Sequence, residues 1–227
     1  MNETILPGAG LSVDIVSDVM CPWCYIGKRR LEKAAARAEM PLDIRWRPYQ
    51  LDPTLPPEGK DRQVYLSEKF GSPDRAEEIY ANIRAAGEME KIAFAFEKIE
   101  VSPNTIDAHR LIRWAAGAGV QDVVVEKLFS AYFVEGRRIG EAAVLVEIAR
   151  EAGMDGDLAA SLLAGEADRQ KVMEEIDLAR QMGVTGVPTF IVGGRYAVVG
   201  AQSPEVLLEA FTAAAAAQNA NDNVAAE

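Results

Sequence analysis

Residues 17–30, SDVMCPWCYIGKRR, carry both cysteines of the chain, Cys21 and Cys24, with Pro22 and Trp23 between them. Upstream, LSVDIVS (11–17) alternates, with Leu11, Val13 and Ile15 on one face and Ser12, Asp14 and Val16 on the other. That period predicts a half-buried strand. Downstream, YIGKRRLEKAAARAEM (25–40) is rich in strong helix formers. Pro22 suits the first helical position, where no backbone N–H is needed. LDIRWRPY (42–49) alternates again, with Leu42, Ile44 and Trp46 sharing a face. Strand, helix, strand predicts a βαβ unit with parallel pairing. Cys21 then stands at the N-terminus of the helix, and Cys24 lies about one turn further on.

From about residue 60 to 182 the spacing is mostly helical. Ser72-Pro73 reads as a helix start, followed at helical intervals by Ala76, Ile79, Tyr80, Ile83 and Gly87. Val125, Leu128, Phe129, Tyr132 and Phe133 form another stripe; Leu145, Ile148, Ala149 and Ala152 a third; Val172, Ile176 and Ala179 a fourth. All four read as core packing between helices. Strand character returns with TFIV, GG and RYAVVG (189–200), a hairpin whose two glycines accept the positive φ of a two-residue turn. Ser203-Pro204 opens a last helix, with Leu207, Ala210, Phe211 and Ala214 on its buried face. The end, AAAAAQNANDNVAAE, reads as a fraying, disordered tail. The fold class is α/β. Residues 11–59 and 183–217 form one discontinuous sheet domain, 60–182 an all-helical insertion and 218–227 a flexible tail.

Composition narrows the function. The chain has 227 residues, 49% hydrophobic and 26% charged, with 24 Lys+Arg against 35 Asp+Glu and a net charge of −11. So acidic a surface argues against nucleic acid as a partner. No apolar run is long enough to span a bilayer. The N-terminus lacks a basic start, and Asp14 and Asp18 interrupt what would be the apolar stretch of a signal peptide, so a cytoplasmic location is expected.

In that compartment a cysteine pair is a metal clamp, a structural staple or a redox pair. A closed zinc site needs four ligands, and one cysteine pair with a single histidine, His109, does not supply them, so no metal is expected. A disulfide across two residues closes a tiny loop and removes little unfolded-state entropy. The redox reading explains the surroundings. A helix N-terminus favours a negative sulfur at Cys21, and Cys24 is within reach to resolve a mixed disulfide formed there. Trp23 adds an apolar patch beside the sulfur.

A second stretch, QMGVTGVPTFIVGG (181–194), places Pro188 at the opening of a strand, where a missing N–H is tolerated. With CPWC after a first strand and GVPTF opening a later one, the chain resembles the thioredoxin superfamily. Its long helical insertion is similar to that of the DsbA family. SDVMCPWCYIGKRRLE, SPNTIDAHRLIRWA and GVTGVPTFIVGGRYAVVGAQSPEVL together resemble the cytoplasmic FrnE-like branch, related to 2-hydroxychromene-2-carboxylate isomerases. The resemblance spans about residues 11–212 and implies a thioredoxin-like fold with a helical cap over the redox centre.

It also implies roles. Cys21 would be the exposed nucleophile and Cys24 the resolving thiol of a protein dithiol–disulfide oxidoreductase. Val187–Pro188 would be a cis peptide whose turn, with Thr189 after it, lies against Cys21, and the Val187 backbone would pair with an extended substrate. Asn104 and His109 would face Cys21 across a cleft. No cofactor beyond the redox-active disulfide is implied; partners would be protein or small-molecule thiols and disulfides, with glutathione as a co-substrate. Trp23 stands where the periplasmic oxidase has histidine, which implies a less oxidising couple. The second cysteine pair of some FrnE-like proteins is missing.

Two other functions stay open. One is a glutathione-dependent isomerase or transferase acting on a small aromatic or polyketide-like substrate; the resembled isomerases have serine in place of Cys21. The other is a chaperone-like binder of unfolded chains. On residue chemistry alone, His109 reads as a helix-flank histidine with a structural hydrogen bond. Asp14 and Asp18 read either as acceptors of the Cys24 proton or as a solvated strand residue and a turn cap. Trp46 and Trp114 read as packing. Oligomeric state is not legible.

Overall fold

A computed structural model describes residues 10–225. The elements run β1 (Leu11–Ser17), α1 (Pro22–Ala35), β2 (Leu42–Pro48), β3 (Lys60–Asp61), α2 (Arg62–Phe70), α3 (Pro73–Met89), β4 (Val101–Ser102), α4 (Ile106–Gly117), α5 (Gln121–Ser130), α6 (Ala142–Glu151), α7 (Gly156–Ala164), α8 (Arg169–Gln181), β5 (Thr189–Val192), β6 (Tyr196–Val199) and α9 (Pro204–Ala225).

The main sheet has the order β2-β1-β5-β6. β1 and β2 are parallel, Ile15 lying opposite Trp46. β5 joins the other side of β1 antiparallel, with Ile15 opposite Phe190, and β6 returns along β5. The fold is thus the thioredoxin-like one expected, with the helical block entering between β2 and β5. Gly193 and Gly194 both take positive φ, at 58° and 66°. The pairing Val192 with Tyr196 leaves Arg195 in the connection too, making it one residue longer than expected.

Val13 and Ile15 are fully buried, with Ile26, Phe190, Val192, Leu207 and Phe211 in the same core. β1 is not half-buried along its whole length. Val16, on the other face, is 2% exposed and packs with Tyr49, Ala179 and Val184, because the end of α8 covers that side. The helical block joins α1 through aromatic rings: Tyr25 stacks on Phe129 at 5.0 Å and meets Phe94 edge-on at 6.1 Å. The helical stripes are buried as expected, Val125, Leu128 and Phe129 completely.

The helical block and the end of the chain depart from expectation. The insertion is not wholly helical: β3 and β4 pair antiparallel, Lys60 with Ser102 and Asp61 with Val101, which ties the start of α2 to the chain before α4. A wider π turn at Ala131–Glu135 follows α5 and carries the stripe on through Tyr132 and Phe133. The end of the chain is not a frayed coil as far as Ala225. α9 continues through Ala213–Ala217, since alanine is the strongest helix former. Among the described residues no helix is long and apolar enough to cross a membrane.

Candidate active site

β1 ends at Ser17, and a tight turn with Cys21 N–H donating to the Asp18 carbonyl at 3.0 Å leads into α1. Cys21 is the N-cap residue, in extended backbone (φ −94°, ψ 112°), and Pro22 starts the helix. The first amides of α1 and its dipole are therefore directed at the Cys21 end. Cys24 follows one turn inside, 0% exposed, with its sulfur near that of Cys21. Burial, reinforced by the neighbouring sulfur, pushes the Cys24 thiol well above its ordinary pKa. The Ser17 hydroxyl and the Asp18 amide beside it work the other way.

The distant end of the chain closes the site. The Val187–Pro188 peptide is cis. Cys21 Sγ donates to the Val187 carbonyl at 3.6 Å. Thr189 Oγ1 donates to the Gly186 carbonyl at 2.8 Å, and Gly200 N–H donates to the Pro188 carbonyl at 2.8 Å, so side chain and hairpin both hold the turn. Cys21 is not exposed, as the resemblance implied, but 5% exposed beneath this loop; the accessible member of the motif is Trp23, at 37%.

Gly27, which the sequence did not single out, sets how closely the loop approaches α1. A Cβ there would stand 2.9 Å from Pro188 Cγ and 3.3 Å from Phe190 Cζ. Gly27→Ala overpacks this contact, and we expect a loss of about 1–3 kcal/mol in urea unfolding. An unchanged midpoint would show that the loop is not held against the helix there.

The remaining candidates divide. Asn104 is engaged structurally: its side-chain amide donates to the Leu55 carbonyl at 2.8 Å, and its Oδ1 accepts from Ile106 N–H at 3.1 Å. His109 is 3% exposed, and its Nε2 donates to the Tyr49 carbonyl at 2.8 Å, the structural bond expected on residue chemistry. Neither shares a hydrogen bond with Cys21 among the described residues. Asp14 pairs with Arg47 at 2.6 Å. Asp18 does cap its turn, but it is completely buried. Its carboxylate accepts from Leu51 N–H at 2.8 Å and lies 3.5 Å from His109 Nε2.

Trp46 is buried as expected, its indole N–H donating to Asp122 at 3.0 Å. Trp114 also lines an open cavity of about 500 Å³, together with His109, Arg113, Asp168 and Glu175. Lys28, one turn beyond Cys24, is not set apart in the sequence from its neighbours Arg29 and Arg30. It is 2% exposed and surrounded by Glu32, Asp122 and Glu126, fastening α1 to α5.

A strand that hands two adjoining sulfurs to a helix start, under a proline loop from the far end of the chain, defines a thiol–disulfide site on a thioredoxin-like scaffold. Residues 12–212 match the DSBA-like thioredoxin domain, and the chain belongs to that family. It is by class a disulfide oxidoreductase. A probable DsbA oxidoreductase from Streptomyces coelicolor is 32% identical, with a TM-score of 0.83 over 90% of this chain and 89% of that one. A 2-hydroxychromene-2-carboxylate isomerase shares the fold at 19% identity and TM-score 0.65, covering 92% and 98% of the two chains. So does the cytosolic disulfide reductase DsbM from Pseudomonas aeruginosa, solved with glutathione, at 21% identity and TM-score 0.60 over 94% and 100%.

Proposed function

We propose that the chain is a cytoplasmic, FrnE-like thiol–disulfide oxidoreductase or isomerase in which Cys21 is the nucleophile and Cys24 the resolving thiol. The observation that carries this is the placing of both thiols at the start of α1, Cys21 as its N-cap and Cys24 one turn inside, with Cys21 Sγ held 3.6 Å from the Val187 carbonyl. The Cys21 thiolate attacks one sulfur of a substrate disulfide, and the other leaves as a thiolate and takes up a proton. The Cys24 thiolate then attacks the Cys21 sulfur, forming the intramolecular disulfide and releasing the second substrate thiol. In isomerisation another thiol of the substrate does the releasing instead.

Two molecules of glutathione would reset the pair, being oxidised to their disulfide; the glutathione solved with DsbM supports this choice. Pro22 and Trp23 shape the approach, and Val187, Pro188 and Thr189 form the platform for an extended protein or small-molecule substrate. No nucleic acid or membrane partner enters the scheme. The direction follows from the potential. With Trp23 in place of a cationic histidine, the pair should equilibrate with glutathione within about −220 to −260 mV, the cytosolic poise. A potential near about −120 mV, that of a strong oxidant, would overturn the reducing direction. Failure of the wild-type protein to reduce insulin with glutathione would overturn the exchange chemistry itself.

The isomerase reading has one observation in its favour, the open cavity beside Trp114 and His109, large enough for a small aromatic molecule. It places the reactive sulfur on glutathione instead of Cys21.

A further inference from the structure

Lys28, Arg62 and Arg110 are all buried cations. Lys28 is surrounded by three carboxylates, and Arg110 has Asp107 and three backbone carbonyls. Arg62, 3% exposed in the first turn of α2, has no carboxylate partner among the described residues. Its guanidinium meets only two phenol oxygens, Nη1 donating to Tyr132 at 3.1 Å and Nη2 to Tyr80 at 2.7 Å. The carboxylate of the preceding residue, Asp61, is turned to α2, its Oδ1 accepting from the amides of Gln63 and Val64, both at 3.0 Å. A guanidinium taken out of water without a counterion is unfavourable, and phenols offer it dipoles rather than charge.

Arg62 and Tyr80 line an open cavity of about 320 Å³ between α2 and α3, within the size range of ligand pockets. The Tyr132 hydroxyl gives its hydrogen to the Val101 carbonyl at 3.3 Å. Tyr80, 9% exposed, has no acceptor for its hydroxyl hydrogen among the described residues. The cavity therefore holds a buried positive charge beside a free hydroxyl donor, a pair that recognises a carboxylate. Leu66 and Phe96 add apolar wall. Arg84 and Glu77 neutralise each other at 2.7 Å, and Glu97, exposed at the rim, has no cation partner among the described residues. One buried cation behind one rim carboxylate suits a single negative charge, whereas a dianion meets repulsion.

We propose that this cavity binds a small aromatic monocarboxylate, its carboxylate on the Arg62 guanidinium and the Tyr80 hydroxyl and its ring against Leu66 and Phe96. The bound carboxylate supplies the counterion that Arg62 lacks. The cavity shares no residue with the thiol site, so occupancy is measurable apart from exchange.

The probe is 4-fluorobenzoate, titrated against the full chain and followed by its fluorine resonance. It should bind, and 4-fluorobenzamide, of the same shape without the charge, should bind at least about tenfold more weakly, as expected for loss of a charged hydrogen bond. Sulfate, a dianion, should not displace it. Tyr80→Phe removes the hydroxyl and keeps the ring that meets Phe96 at 4.6 Å; it should weaken the benzoate by about tenfold or more. Arg62→Gln removes the charge and should abolish the preference for benzoate over benzamide. Tyr80→Phe serves alone if Arg62→Gln folds poorly. No binding at about 10 mM, weaker than any ordinary ligand site, would overturn the proposal. So would an unchanged affinity in Tyr80→Phe, which places the probe elsewhere, equal binding of the benzamide, or displacement by sulfate.

Discussion

Cys21→Ser is expected to reduce the exchange of protein disulfides to the uncatalysed rate while leaving the fold intact. The sulfur sits at the N-cap of α1, a position that serine fills well, so unfolding should change little. Chemically the substitution is severe. An alcohol at a helix N-terminus remains protonated at neutral pH, and it cannot form or be displaced from a disulfide. Cys24→Ser should behave differently. Attack by Cys21 survives, resolution does not, and a mixed disulfide with the substrate accumulates, visible by mass spectrometry. This asymmetry also tests the rival. A glutathione-dependent isomerase needs only a hydroxyl to orient the glutathione sulfur, so Cys21→Ser would retain much of its turnover. Retained isomerase activity with no exchange in the wild-type protein would replace the proposed function.

The largest stability loss is expected at Arg110. This guanidinium is completely buried in α4. Its Nε donates to the Ala167 carbonyl at 2.7 Å, and Nη2 donates to the Leu162 and Gly165 carbonyls, both at 2.6 Å. Nη1 donates to Asp107 at 2.9 Å, and the group lies 5.1 Å from the centre of the Trp114 ring. One side chain thus satisfies the backbone between α7 and α8. Arg110→Met leaves three carbonyls without this donor, and the loss should be about 3–5 kcal/mol, as when a buried charged partner is removed. In a chain of this size that corresponds to a fall in Tm of roughly 6–20 °C. Arg110→Lys should recover little, because an ammonium lacks the planar fork that reaches several acceptors at once. A loss below about 1 kcal/mol, typical of a surface pair, would contradict this account. The same loop carries Asp168, which accepts from the Trp114 indole at 2.9 Å, so loosening it also disturbs the wall of the open cavity.

What the sequence disclosed were features in which residue type and local spacing carry the constraint. Cys21 and Cys24 are readable because few residues do thiol chemistry. Pro188 is readable because a proline opening a strand needs a reason. The paired glycines 193 and 194 mark a turn, and the stripe through Val125, Leu128 and Phe129 marks a buried helix face. Hidden were features that depend on who sits opposite. Lys28 and Arg110 look like solvated charges until Glu126 or the carbonyl of Gly165, far along the chain, is brought beside them. Asp18 reads as either a turn cap or a proton acceptor, and nothing local foretells its burial beside Leu51 and His109. Gly27 looks like a defect in a helix, although the Pro188 ring occupies the space its side chain would need. Two-residue strands such as β3 and β4 have no period to detect.

The pairing of β1 with β5 has a consequence for the newborn protein. Val13 meets Val192 only after about 180 further residues have been made. At about 5–20 residues per second on the ribosome, the two thiols emerge roughly 10–30 s before the segment that shelters them. During that interval they meet the reductants and electrophiles of the cell with no lid in place.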